Sequence, residues 1–132
     1  MLTLPAARYW LPFLVGKTRS FEPRNEAQAL HWTTNYPSTA VFPMAASVKA
    51  AIALDYFDVK IPALFHYAKG DKVVRADVTQ RISAQWGGDV TTVRPELGAG
   101  DDPSQHVIAG DIISPGQTAR SVTAILEWYG EL

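Results

Sequence analysis

The chain contains no cysteine, which removes disulfides, thiolate nucleophiles and cysteine-bound metals and leaves the redox compartment open. Charge of either sign is sparse: charged residues are 19% of the 132 positions and the formal net charge is −1. With no basic or acidic run, neither a nucleic-acid surface nor an anionic-membrane patch is expected. Long hydrophobic runs are missing too. The apolar opening, residues 1–17, is interrupted by Pro5, Arg8 and Pro12. It is too short and broken to span a bilayer, and its positive charge falls inside the apolar part rather than before it, unlike an export signal. No transmembrane segment is expected, a short surface helix around residues 6–14 is, and the expected location is cytoplasmic. Histidine is scarce as well. His31, His66 and His106 lie far apart without a carboxylate cluster at ligand spacing, so neither a metal site nor a cofactor is expected.

What the chain does have is one domain's worth of length and enough apolar residues for a core. Nine prolines and four tryptophans point to a folded, loop-rich protein. No strand pattern occurs before residue 58. Residues 26–33 predict a helix with Asn25 as N-cap. Residues 39–55 predict an Ala-rich helix whose inward stripe is Val41, Met44 or Ala45, Val48, Ile52 and Tyr56, with Pro43 tolerated in the first turn.

The organising stretch is 61–74, IPALFHYAKGDKVV. Ile61, Ala63, Phe65 and Tyr67 alternate with Pro62, Leu64 and His66, and both faces are largely apolar, as in a strand covered on each side. Lys69-Gly70-Asp71 then turns the chain, so Asp71 stands at the strand's carboxyl end, where open α/β sheets place their working residues. A helix over 76–86 follows, with Val78, Ile82 and Trp86 on one face, an Asp77–Arg81 pair on another and Gly87-Gly88 as its stop. Residues 89–94 read as a second strand, and 95–115 as a long loop carrying His106. Ser114, Pro115 and Gln117 have the pattern of a capping box opening a final helix, whose Ala119, Val122, Ile125, Leu126 and Tyr129 are expected to face the core. The fold class is therefore α/β: a helical segment, residues 1–57, then strand-helix-strand-helix over 58–132, with a sheet too small to be complete.

An acid after one strand and a histidine after the next are the last two members of the order Ser…Asp/Glu…His. In that arrangement the imidazole moves the nucleophile's proton while the carboxylate fixes its tautomer. By spacing alone, a turn aspartate and a surface histidine explain the pattern better. The wording of the motifs adds to it. Gly70-Asp71-Lys72-Val73-Val74 resembles the acid turn of the α/β-hydrolase superfamily. The run from Asp101 through Gln105-His106-Val107 to Asp111 resembles the histidine loop of bacterial serine hydrolases of the lysophospholipase and monoacylglycerol lipase type. The opening, with Arg19-Ser20-Phe21-Glu22-Pro23 and His31-Trp32-Thr33-Thr34-Asn35-Tyr36-Pro37, is similar to the helical cap of those enzymes.

The resemblance implies that Asp71 is the triad acid, His106 the triad base, and residues up to about Phe57 a lid over a cleft for a lipid-like ester or other acyl substrate. Phe13, Trp32, Phe42 and Met44 are then candidates to line that cleft, with core packing as the alternative. Asp101 and Asp102 are alternative acids, although turn formation explains them too. The family's G-x-S-x-G is not in this sequence, so the chain resembles a C-terminal portion and is expected to be inactive alone. Its partner would be a missing N-terminal half. The competing expectation is a non-catalytic module that binds a partner or self-associates through strand 61–67.

Overall fold

The computed structural model describes residues 16–132. Phe13 and the helix expected around residues 6–14 lie outside them. The protein is mixed α/β and divides into two compact units, residues 1–54 and 55–132.

In the first unit, β1 (Thr18–Ser20) pairs antiparallel with β2 (Asn35–Pro37), Arg19 opposite Tyr36. This corrects the expectation of a strand-free opening. Three-residue strands are too short to carry an alternating pattern, and these pair across an intervening helix. That helix, α1 (Glu26–His31), starts where its cap predicts: the Asn25 side chain accepts the Gln28 N–H at 2.8 Å. Buried Ser38 ties the unit together, its hydroxyl donating to the Gly16 carbonyl at 2.6 Å and its N–H to Lys17 at 2.9 Å. After a short 3₁₀ turn comes α2 (Val41–Ile52), with Pro43 in its first turn. Its apolar stripe is not buried: Met44, Val48 and Ile52 are exposed. Helical periodicity specifies a face, not what covers it.

In the second unit, β3 (Ala63–His66) and β4 (Val90–Val93) pair in parallel, Ala63 beside Val90 and His66 beside Val93. They are joined through α3 (Ala76–Gln85), as a parallel connection requires. Ile61 falls before the strand and is exposed, so the strand's inward face begins at Ala63. Trp86 supplies much of the packing. Its ring stacks on Tyr56 at 5.7 Å and meets Phe65 edge-on at 5.6 Å, and its indole N–H donates to the Ile61 carbonyl at 2.8 Å. Gly87 and Gly88 do more than end the helix. A Cβ at Gly87 would lie 1.7 Å from the Phe57 carbonyl oxygen, and one at Gly88 2.4 Å from that of Ile61. Two backbone segments meet there at a distance that only glycine permits. The expected Asp77–Arg81 pair is replaced by an exposed Arg75–Asp77 pair at 2.5 Å. Arg75, in the extended N-cap position, comes to the carboxylate first.

The last helix, α4 (Pro115–Gly130), corrects the sequence twice. The capping box does not form. The Ser114 hydroxyl is used elsewhere, and the Gly116 N–H at the helix start is taken by Asp101 Oδ1 at 3.2 Å. The buried face is also not the apolar one. Gln117 and Ser121 are buried, Ala124 and Trp128 half-buried, while Val122, Ile125, Leu126 and Tyr129 are exposed. Gln117 explains the rotation, because its amide reaches back to the Glu96 carbonyl at 3.1 Å and to Asp101 at 2.9 Å. Polar anchoring at the first turn sets which side of the helix faces in.

Candidate functional site

β3 and β4 end side by side, and each releases a loop at the same end of the sheet. After Tyr67, whose N–H still donates to Val93 at 3.2 Å, the chain passes fully buried Ala68 and turns at Lys69-Gly70. Asp71 then folds its carboxylate onto its own turn: Oδ1 accepts the N–H groups of Val73 at 2.7 Å and Val74 at 2.9 Å. This is how a short acidic side chain organises a turn, and it leaves Oδ2 aimed outward. Oδ2 lies 2.9 Å from His106 Nδ1.

The two partners are unequally exposed, the Asp71 side chain at 5% and that of His106 at 42%. Burial by itself pushes the Asp71 carboxyl up. The hydrogen bonds from His106, Val74 and Val73 and the attraction of the imidazole outweigh it, and the carboxyl sits below its ordinary value. A carboxylate only accepts, so the contact assigns a proton to Nδ1, and in the neutral ring that leaves the lone pair on Nε2. This is the protonation pattern of a general base held by a carboxylate.

Lys72, unremarked in the sequence, ties the two loops together. Its N–H donates to Ser104 and its ammonium to Pro103, both at 2.9 Å. Beyond it, buried Asp102 accepts the backbone N–H groups of Ser104, His106 and Val107. The carboxylate that meets the imidazole is therefore that of Asp71, while Asp102 holds the main chain of His106. Ser114, fully buried, accepts from the Asp102 N–H at 3.0 Å and donates to the Val107 carbonyl. Lys72 and Ser104 are 32 positions apart and Asp102 and Ser114 12, with no short motif between them, which is why sequence spacing did not show these contacts.

Beside the dyad's loops lies an open cleft of about 360 Å³ lined by Lys69, Arg94, Pro95, Glu96, Leu97 and Gln105. Arg94 donates to the Tyr67 hydroxyl at 3.0 Å and lies over its ring. Of the residues proposed for an acyl cleft, the three described ones belong to the first unit. Trp32 caps the end of α1, Phe42 is half-buried at the start of α2, and Met44 is exposed one turn on. His31 is exposed at the end of α1. His66 is half-buried within β3, and burial pushes its imidazole below the ordinary value. Among the described residues no group of three His, Cys, Asp or Glu could hold a metal ion, and no helix is long and apolar enough to cross a membrane.

No protein-family model, no curated protein and no solved structure matches the chain.

Proposed function

We propose that this chain is the C-terminal portion of an α/β-hydrolase-fold serine hydrolase of the esterase or lysophospholipase type. It supplies the triad acid Asp71, the triad base His106 and, in residues up to about Phe57, a lid. The observation that supports this reading is the 2.9 Å contact of Asp71 Oδ2 with His106 Nδ1 at the carboxyl end of two neighbouring parallel strands. Nothing in the sequence matches a nucleophile elbow, so the serine comes from polypeptide other than these residues.

In the mechanism, His106 Nε2 takes the proton of that serine as its oxygen attacks the ester carbonyl carbon. The tetrahedral intermediate then collapses, the carbonyl–alkoxy bond breaks, and the imidazolium returns the proton to the departing alkoxide. Water repeats the sequence on the acyl-enzyme. Asp71 holds the Nδ1–H tautomer and stabilises the imidazolium at each stage.

The test uses protein isolated from its native source, assayed on short-chain p-nitrophenyl esters and treated with a fluorophosphonate. Hydrolysis, with a labelled serine outside residues 1–132, is the expected result. H106A should then lower turnover roughly 10⁴-fold or more. Protein of this mass alone, with neither hydrolysis nor labelling, would contradict the reading.

A non-catalytic binding or self-association module is the second reading. It is favoured by the exposed Val122, Ile125, Leu126 and Tyr129 of α4 and by a sheet that has only two strands among the described residues. Light scattering decides its self-association form: a monodisperse monomer at high concentration would remove it.

A further inference from the structure

The best-satisfied acid in the second unit takes no part in the chemistry assigned above. Asp102 is 3% exposed. Four donors converge on its carboxylate: the N–H groups of Ser104 at 3.0 Å, His106 at 3.1 Å and Val107 at 2.9 Å, and the Ser104 hydroxyl. Its own N–H donates to Ser114, and its carbonyl accepts the Gln105 N–H at 2.8 Å. Between these anchors Gln105 has φ +55°, a left-handed conformation disfavoured for a residue with a Cβ. Such a conformation persists where its surroundings over-determine it. The residue held in place immediately after it is His106.

We propose that Asp102 is a positioning residue for His106. It acts on the main chain as Asp71 acts on the ring. With the His106 N–H fixed inward on Asp102, the side chain leaves the backbone on the other side, and the ring meets Asp71 Oδ2 without searching rotamers. Ser114, buried at the entrance to α4, locks the same loop by joining the Asp102 N–H to the Val107 carbonyl. The histidine is thus oriented by two carboxylates of different kind, one on its ring and one on its backbone. The role rests on the reading of His106 as the triad base.

The test reads the His106 tautomer by long-range proton–nitrogen correlation of the full chain, with H106Q to assign the signal. In the unmodified chain the Nδ1–H form dominates. D102N keeps the shape of the side chain but turns a donor toward one of the four donors. It should lower the Nδ1–H to Nε2–H ratio at least fivefold while the amides of β3 and β4 stay protected from exchange. S104A, which removes one donor and leaves the carboxylate, should move the ratio the same way by less. D111N, in the same loop, should not move it.

A purely structural role would shift melting and leave the tautomer alone. A folded D102N chain with an unchanged ratio overturns the proposal. Should D102N fail to fold, an unchanged ratio in folded S104A overturns it. Lack of an Nδ1–H bias in the unmodified chain would instead sink the triad reading itself, so the two failures are distinct.

Discussion

The histidine loop and the final helix are joined at Ser114–Pro115, yet they are finished to different degrees. In the loop the buried polar groups beside Ile113 are paired: Asp102 with four donors, Ser114 bridging two main-chain groups. Along the helix the apolar side chains Val122, Ile125, Leu126 and Tyr129 are exposed, and the side turned inward is polar or small at Gln117, Ser121 and Ala124, with half-buried Trp128 near its end. The comparison teaches that the end of this unit holding Asp71 and His106 is built from directional hydrogen bonds made within the unit itself. The hydrophobic term is left unspent on the opposite face of α4, where another surface is required to realise it.

The largest effect should come from a change outside both regions, at the base of the strand that carries Asp71. G87A places a methyl against the Phe57 carbonyl, backbone against backbone, which no side-chain rotation relieves. We expect a loss on the order of 3 kcal/mol or more in urea unfolding, with β3 losing its seat. An unchanged midpoint would mean that the 57–61 segment is not packed where it is described.

S114A separates the loop from the helix. It strands the Asp102 N–H and the Val107 carbonyl in a buried position and should cost about 2 kcal/mol. L126K, on the exposed face of α4, should change stability by about 0.5 kcal/mol or less while reducing any self-association seen by light scattering. Equal effects from the two would erase the distinction.

D71N should cost about 1–2 kcal/mol at neutral pH, since three hydrogen bonds converge on that carboxylate. Because the folded carboxyl lies below its unfolded value, this stabilisation is full above the unfolded value and disappears as pH falls through the folded one. The difference between the two chains in urea midpoint should therefore close in acid. His66 is also held low, so its stabilisation is full above the ordinary value of 6.5 and fades as pH falls through its own folded value. That slope is common to both chains and cancels. The smallest effect is R75A. The Arg75–Asp77 pair is solvated on both sides, and the melting curve should not move.

Much of the second unit was legible in its residues. The β-branched and aromatic runs at 63–66 and 90–93 are strands, and the Gly-Asp turn after the first brings Asp71 to the sheet end at which His106 arrives. The turn chemistry of Asp71 and the cap at Asn25 are local effects, so sequence carries them. The facing of α4 was not legible, because Gln117 is anchored to Glu96 and Asp101 across the loop and overrides the apolar stripe. The β1–β2 pair was missed because two three-residue strands separated by a helix leave no periodic trace. Asp102 was read as a turn former. Its bond to the His106 main chain becomes visible only once Gln105 is known to be left-handed.

The account stands on the ring of His106 giving its Nδ1 proton to Asp71. Imidazole nitrogen spectra of the intact chain and of D71N test this most directly. The account predicts the Nδ1–H tautomer in the former and a switch to Nε2–H in the latter, where the substituted amide presents a donor. The same mixture of tautomers in both chains would contradict it.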